Sequence, residues 1–161
     1  MGGTDVSPVS AVADASHPSY PASYACDEVC ANMWYEDSGC PHWIYFDCGE
    51  GRVITWIHLA WQIGSAGDDY DVEGSNDTAN WDSLLEGLDD TGEGSDDCSN
   101  IVDVELPEDS EYRYIRLYIA SSEYYLDQPA LREFLFDWTE PGVASPVIMH
   151  HYNTINKIIR G

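Results

Sequence analysis

The side chains able to do chemistry in this 161-residue chain are five cysteines, five histidines and thirty acids. Cys26, Cys30, Cys40, Cys48 and Cys98 contain no C-x2-C pair, so a thiolate metal centre is poorly served. Five is an odd number, so one thiol is free or pairs between chains. Cys26 and Cys30 are close enough in sequence to staple one loop. Cys48 falls inside a strand pattern, where a thiol acts as a small apolar side chain. Serine, histidine and aspartate are all present, yet no G-x-S-x-G turn presents a nucleophile. H-E-x-x-H, the phosphate-cradling loop and the dinucleotide fingerprint are also missing. His150 and His151 are adjacent, and on a helix such neighbours point apart. Thirty acids make carboxylate pairs inevitable, so no pair marks an acid–base site. The chain reads as a non-catalytic one.

The elements that must position these groups read as strands. Val53 to Trp61 alternates in register, with apolar residues on both faces. It follows Trp43-Ile44-Tyr45-Phe46, a run that begins after Pro41, which cannot donate to a sheet ladder. Gly49 and Gly51 permit the turn between the two. Shorter strands are expected at Tyr70–Glu73, up to Leu84-Leu85, at Ile101–Leu106, Tyr112–Ala120 and Leu131–Trp138. Many short strands with turn signals between them predict an all-β sandwich or barrel. Residues 1–15, small and polar without a period, read as an arm. They and the next few residues carry neither the basic nor the apolar region of a secretory signal.

Charge narrows the partners. The net formal charge is −24. No Lys or Arg occurs between Val53 and Tyr112, while 17 acids lie between Asp68 and Glu111. Nucleic-acid binding needs clustered cations and is therefore not expected. Acidity on this scale has two readings: a solvated surface, or adaptation to high salt. Molar salt shortens the Debye length to about 3 Å and cancels the self-repulsion. No apolar run is long enough to span a membrane. From Pro141 onward there is no acid at all. There Ile148, Tyr152, Ile155 and Ile159 fall at helical spacing, with Lys157 and Arg160 near the end. That tail is expected either to pack on its own domain or to dock on an oppositely charged partner in an assembly.

The order of pieces carries a resemblance. PSYPASYACDEVCANMW (Pro18–Trp34), GCPHWIYFDCGE, VITWIHLAW, YDVEGSNDTANW and YRYIRLYI…LREFLF follow the order seen in discoidin-like domains. These are also called coagulation factor type C or galactose-binding-like domains, and the style is similar to family 32 carbohydrate-binding modules. The resemblance covers roughly Pro8 to Trp138. It implies a jelly-roll β-sandwich of two antiparallel sheets, placed over residues 16–140; residues 141–161, read from composition as linker and tail, fall outside it. It implies a non-catalytic recognition module, extracellular, whose loops at one end bind carbohydrate or cell-surface glycans. Stacking on a sugar's C–H face requires an aromatic platform. The residues that could supply it, or read hydroxyls beside it, are Tyr35, His58, Trp61, Tyr70, Tyr124 and Tyr125, with Tyr124-Tyr125 the best exposed pair. Trp34, Trp43, Trp56, Trp81 and Trp138 are expected in the core.

The resemblance also implies a structural calcium. Its motif aligns with Ala25 to Trp34 and is completed by Glu133, giving Asp27, Asn32 and Glu133 as oxygen ligands with carbonyls near Ala25 and Val29. Glu28, Val29 and Asn32 depart from the family pattern. Cys26 and Cys30 bracket the same loop, so a disulfide is the alternative brace. Within the same fold, the acidity and the basic tail suit a second role: a decoration, turret, fibre or tail component of a virus of a salt-loving host.

Overall fold

In a computed structural model, residues 2–142 are described. Ten strands form two antiparallel sheets. They are β1 (Gly3–Val6), β2 (Ser10–Ala13), β3 (Trp34–Tyr35), β4 (His42–Asp47), β5 (Val53–Trp61), β6 (Gly67–Ser75), β7 (Asp82–Leu88), β8 (Val102–Glu105), β9 (Tyr114–Ser122) and β10 (Ala130–Thr139). The first sheet runs β1-β10-β5-β8, with β3 also on β10; the second runs β2-β4-β9-β6-β7. The expected β-sandwich is therefore the observed one.

The strand patterns explain the layers. Phe134 pairs with Leu59 across β10 and β5, and its ring stacks on Phe46 of the other sheet at 3.9 Å. Ile57, Leu59, Phe134 and Phe136 therefore face the second sheet, where Ile44, Phe46, Ile115 and Leu117 meet them, all fully buried. Burying each such side chain contributes about 1.5–3 kcal/mol. Cys48 is buried with them, as its place in the pattern predicts. The Cys40–Pro41 peptide is cis, and β4 starts at the next residue. Gly49 and Gly51 both take positive φ, 86° and 66°, in the β4–β5 turn, where a side chain would strain the backbone.

Three expectations are corrected. Residues 1–15 are not a separate arm: β1 lies at one edge of the first sheet and β2 at one edge of the second. Both are four residues long with no apolar stripe, as edge strands often are, and so leave little pattern. Of the five tryptophans expected in the core, Trp34 is fully buried. Trp43, Trp56, Trp81 and Trp138 are half-buried, and Trp81 packs beneath Arg116, its guanidinium 4.2 Å from the ring. Cys26 does not pair with Cys30: Cys30 joins Cys98, and Cys26, Cys40 and Cys48 are free thiols.

Among the described residues, no helix is long and apolar enough to cross a membrane. The docking residues Ile148, Tyr152, Ile155, Lys157, Ile159 and Arg160 lie outside the described residues.

Candidate functional site

The loops between strands gather at one end of the sandwich, held there by side chains and one disulfide. Tyr35 Oη donates to Gln128 Oε1 (2.8 Å), and Gln128 Nε2 donates to the Asp37 carbonyl (2.6 Å). Cys40 N–H donates to the Asp127 carbonyl (2.8 Å), tying the β3–β4 and β9–β10 loops. Glu123 accepts from the N–H groups of Ala66 and Gly92, joining the β5–β6 and β7–β8 loops. A Cβ on Gly94 would collide with the Gln62 carbonyl, so glycine permits that close approach. Arg132 Nε and Nη1 donate to the carbonyls of Ser95 and Cys30, and Cys30–Cys98 closes the same junction.

On this frame stands a cluster of rings. Tyr124 and Tyr125 lie 4.7 Å apart, and Tyr125 is 81% exposed, the most exposed large apolar side chain described. The Tyr35 ring contacts Tyr20 edge-on at 5.8 Å and His17 at 5.9 Å. Burial raises the Tyr35 hydroxyl above its ordinary pKa, and Asp37, Tyr124, Glu36 and Tyr20 add to the shift, so the two ring groups share one electrostatic neighbourhood. Three of the expected residues, Tyr35, Tyr124 and Tyr125, thus meet at one end. His17 and Tyr20 belong with them and escaped the sequence reading. Their one signal was Tyr20 between Pro18 and Pro21 in a loop-forming stretch.

Trp61, Tyr70 and His58 do not join this cluster. Trp61 and Tyr70 are fully buried and offer no face to a sugar. Trp61 Nε1 and Tyr70 Oη both donate to Asp90 Oδ2 at 2.7 Å, which satisfies their polar ends inside the core. Burial holds the Asp90 carboxyl above its usual range despite those two donors. His58 sits in the middle of β5 on the outer face of the first sheet, with Nδ1 2.7 Å from Asp103 Oδ1.

A hydroxyl–imidazole–carboxylate chain also lies near the ring cluster. His42 Nδ1 is 3.0 Å from Asp14 Oδ2, and His42 Nε2 is 3.1 Å from Ser38 Oγ. Acyl transfer would further require backbone donors for an oxyanion. Ser38 N–H is spent on Glu36 and Cys40 N–H on Asp127. The chain braces the 36–41 loop.

The Asp27 loop shows which groups could hold a cation. Glu133 is 5% exposed, and neither of its carboxylate oxygens has a well-formed hydrogen bond; the Glu28 N–H only partly offsets its burial. Burial first, and then Asp27, raises its pKa to about 8. A buried carboxyl so poorly bonded calls for a proton or a cation. Asp27 is engaged within its own turn, by Val29 N–H (2.9 Å) and Asn32 Nδ2 (2.7 Å). The Val29 carbonyl accepts from Asn32 N–H (2.8 Å). The oxygen-rich donor set fits a hard cation, provided the Asn32 amide turns its oxygen inward.

The opposite end differs. A cleft of ≈ 450 Å³ there is lined by Arg52, Asn76, Tyr112 and Arg113, among others. Arg113 pairs with Asp47 (2.9 Å) and Glu50 (2.7 Å). Arg52 donates to the Cys48 carbonyl (2.6 Å) and lies 4.5 Å over Trp138. Both cations are committed to the fold.

Known proteins share this arrangement. The first chitosan-binding module of a chitosanase/glucanase from Paenibacillus sp. IK-5 superposes with a TM-score of 0.67 at 22% identity, covering 82% of this chain and 96% of that one. The family 32 module of AlyQ, solved with 4,5-unsaturated mannuronic acid, gives 0.68 at 17% identity, covering 83% and 98%. The family 32 module of C. perfringens NanJ, solved with galactose, gives 0.64 at 14% identity, covering 80% and 92%. At these identities the likeness is one of fold. No curated protein matches the chain. The model of the F5/8 type C domain matches residues 8–133, and the chain belongs to that family.

Proposed function

We propose that the tyrosine-bearing loop end binds carbohydrate without catalysing a reaction. The observation that carries this reading is the contact pair of exposed Tyr125 and half-buried Tyr124, on a cross-linked frame beside Tyr35 and Tyr20. An aromatic face held rigidly in solvent stacks on the C–H face of a sugar, and the frame lowers the ordering cost of binding. Family membership supports the same reading, as does the likeness to modules solved with sugars.

Charge selects within that class. Glu36, Asp37, Glu93, Asp96, Glu123 and Asp127 lie in the loops of this end. Arg132 is the described cation there, and it is 8% exposed and spent on carbonyls. Neutral or amine-bearing sugars are therefore favoured over uronic acids, an effect that salt weakens. The Cys30–Cys98 disulfide supports a location outside the cell. A structural calcium held by Glu133, Asp27, Asn32 and the Ala25 and Val29 carbonyls would brace the loop behind the site. Added calcium is expected to raise the melting temperature of the native chain and leave Glu133→Gln unmoved. The virion role rests on the chain's acidity and on its basic tail, and the tail lies outside the described residues.

The test is a glycan array followed by titration of the best ligand. Binding to a neutral or amino sugar, weakened about tenfold or more by Tyr124→Ala/Tyr125→Ala, is expected. Failure to bind any such glycan, or equal binding by the double variant, would refute the reading.

A further inference from the structure

The outer face of the first sheet holds a group that glycan binding does not use. His58 projects from β5 between β8 and β10. Its side chain is 9% exposed, although a polar imidazole on the outer face of a sheet would ordinarily reach water. Nδ1 lies 2.7 Å from Asp103 Oδ1 of β8. Nε2 points the other way, towards Asp137 Oδ1 of β10 at 3.1 Å and Asp5 Oδ1 of β1 at 3.8 Å. Nε2 has no well-directed hydrogen bond, and its 3.1 Å approach to Asp137 is an ion pair only when the ring carries a second proton. The three atoms lie within 4.8 Å of one another.

We propose that Asp5, His58 and Asp137 bind a zinc-class divalent transition metal, with Asp103 fixing the imidazole through Nδ1. The distances suit that ion. Zinc binds imidazole nitrogen and carboxylate oxygen at about 2.0–2.2 Å, so tetrahedral ligands stand about 3.3–3.6 Å apart. The observed 3.1 and 3.8 Å bracket that spacing. The donor type separates this site from the Asp27 loop. Calcium takes six to eight oxygens, whereas an imidazole nitrogen suits zinc, nickel or copper. The Asp103–Nδ1 bond leaves the Nε2 lone pair for the metal, the arrangement in which a carboxylate orients a ligating histidine.

Sequence alone hides the site, because its residues come from four strands and lie up to 132 positions apart. The fold brings them together. Asp5 takes a positive φ of 50° at the irregularity in β1, and its N–H donates to Asp137 Oδ1 at 2.7 Å. The Asp5 side chain is 72% exposed, so the cluster is open to solvent on the β1 side. A metal there would clamp β1 onto β10 and β5. It would leave one position for water or for a ligand from a partner.

The experiment uses the full chain, stripped with a chelator and returned to metal-free buffer containing millimolar calcium to occupy any hard-oxygen site. Zinc is titrated by calorimetry while the ring nitrogens of His58 are followed by NMR. One equivalent of zinc should bind and shift the His58 Nε2 resonance. Asp5→Asn should weaken binding at least about tenfold, and Asp103→Asn by about 10–100-fold. Asp5 is an exposed edge residue, so Asp5→Asn keeps the fold, which an unchanged melting temperature without zinc checks. Zinc that binds equally well to Asp5→Asn, or that leaves the His58 resonance unmoved, is held by the free thiols or by His150 and His151 and overturns the proposal. No zinc binding by the native chain means that a proton alone sits among these carboxylates, and that also overturns it.

Discussion

The two ends of the sandwich carry opposite answers to the same excess of acid. At the end of the β4–β5 turn, cations meet carboxylates directly: Arg113 holds Asp47 and Glu50, and Arg52 caps the turn and covers Trp138. At the tyrosine end, the acids accept from backbone N–H groups and from Trp61, Tyr70 and the Ser121 hydroxyl instead. The first end commits both of its arginines to the fold and keeps a cleft between its loops. The second is cross-linked yet keeps its rings and much of its negative charge in solvent. A chain with six cations cannot neutralise both ends. The structure concentrates two of them away from the rings, and that leaves the tyrosine-end loops cross-linked and acidic.

The contrast can be broken from either side. The largest effect is expected at the tyrosine end, from Cys30→Ala/Cys98→Ala. The bridge closes a separation of 68 residues, and its loss should cost about 4 kcal/mol in the chain-entropy account. Urea unfolding measures it, and unchanged stability would mean that Arg132 alone holds the junction. Asp90→Ala comes next. It leaves the Trp61 and Tyr70 donors buried and unpaired, at about 3 kcal/mol. A loss below about 1 kcal/mol would mean that water replaces the carboxylate.

The arginine end should respond to pH. Arg113 holds the Asp47 carboxyl below the usual carboxylate range, chiefly by hydrogen bonding. A lowered pKa means that this stabilisation is full above the ordinary carboxylate pKa and is lost as pH falls through the lower, folded value. Asp47→Asn should therefore destabilise by about 2 kcal/mol at pH 7, a figure kept modest because the Arg113 side chain is 35% exposed. The difference from the native chain should shrink as the pH falls below the ordinary carboxylate range. Equal differences at both pH values would remove the ion pair from the account.

Much of this layout was legible before the structure. Alternation marked β5 from Val53 to Trp61, and the Pro41 break marked the start of β4. Loop composition singled out Tyr124 and Tyr125. What stayed hidden had physical reasons. Trp61 and Tyr70 read as surface rings because their partner, Asp90, arrives from a distant loop to satisfy them in the core. Trp43 and Trp81 read as core because composition does not report which face of a strand a tryptophan takes; they cover Arg116 on the outside. The Cys30–Cys98 pairing and the His58 cluster both depend on which strands become neighbours, which local pattern does not carry.

The smallest stability effect belongs to the residues to which the proposal assigns binding. Tyr124→Ala/Tyr125→Ala should change stability by no more than about 1 kcal/mol, since Tyr125 is exposed and Tyr124 half-buried. The most direct test of the account is therefore to map a bound sugar. Backbone amide resonances are followed by two-dimensional NMR while a neutral or amine-bearing oligosaccharide is titrated into the native chain. The account predicts that shifts concentrate at Tyr20, Tyr35, Asp37 and Ser122–Gln128. Shifts concentrated instead at Glu50–Arg52, Asn76 and Glu111–Arg113 would place the ligand in the arginine cleft and contradict it.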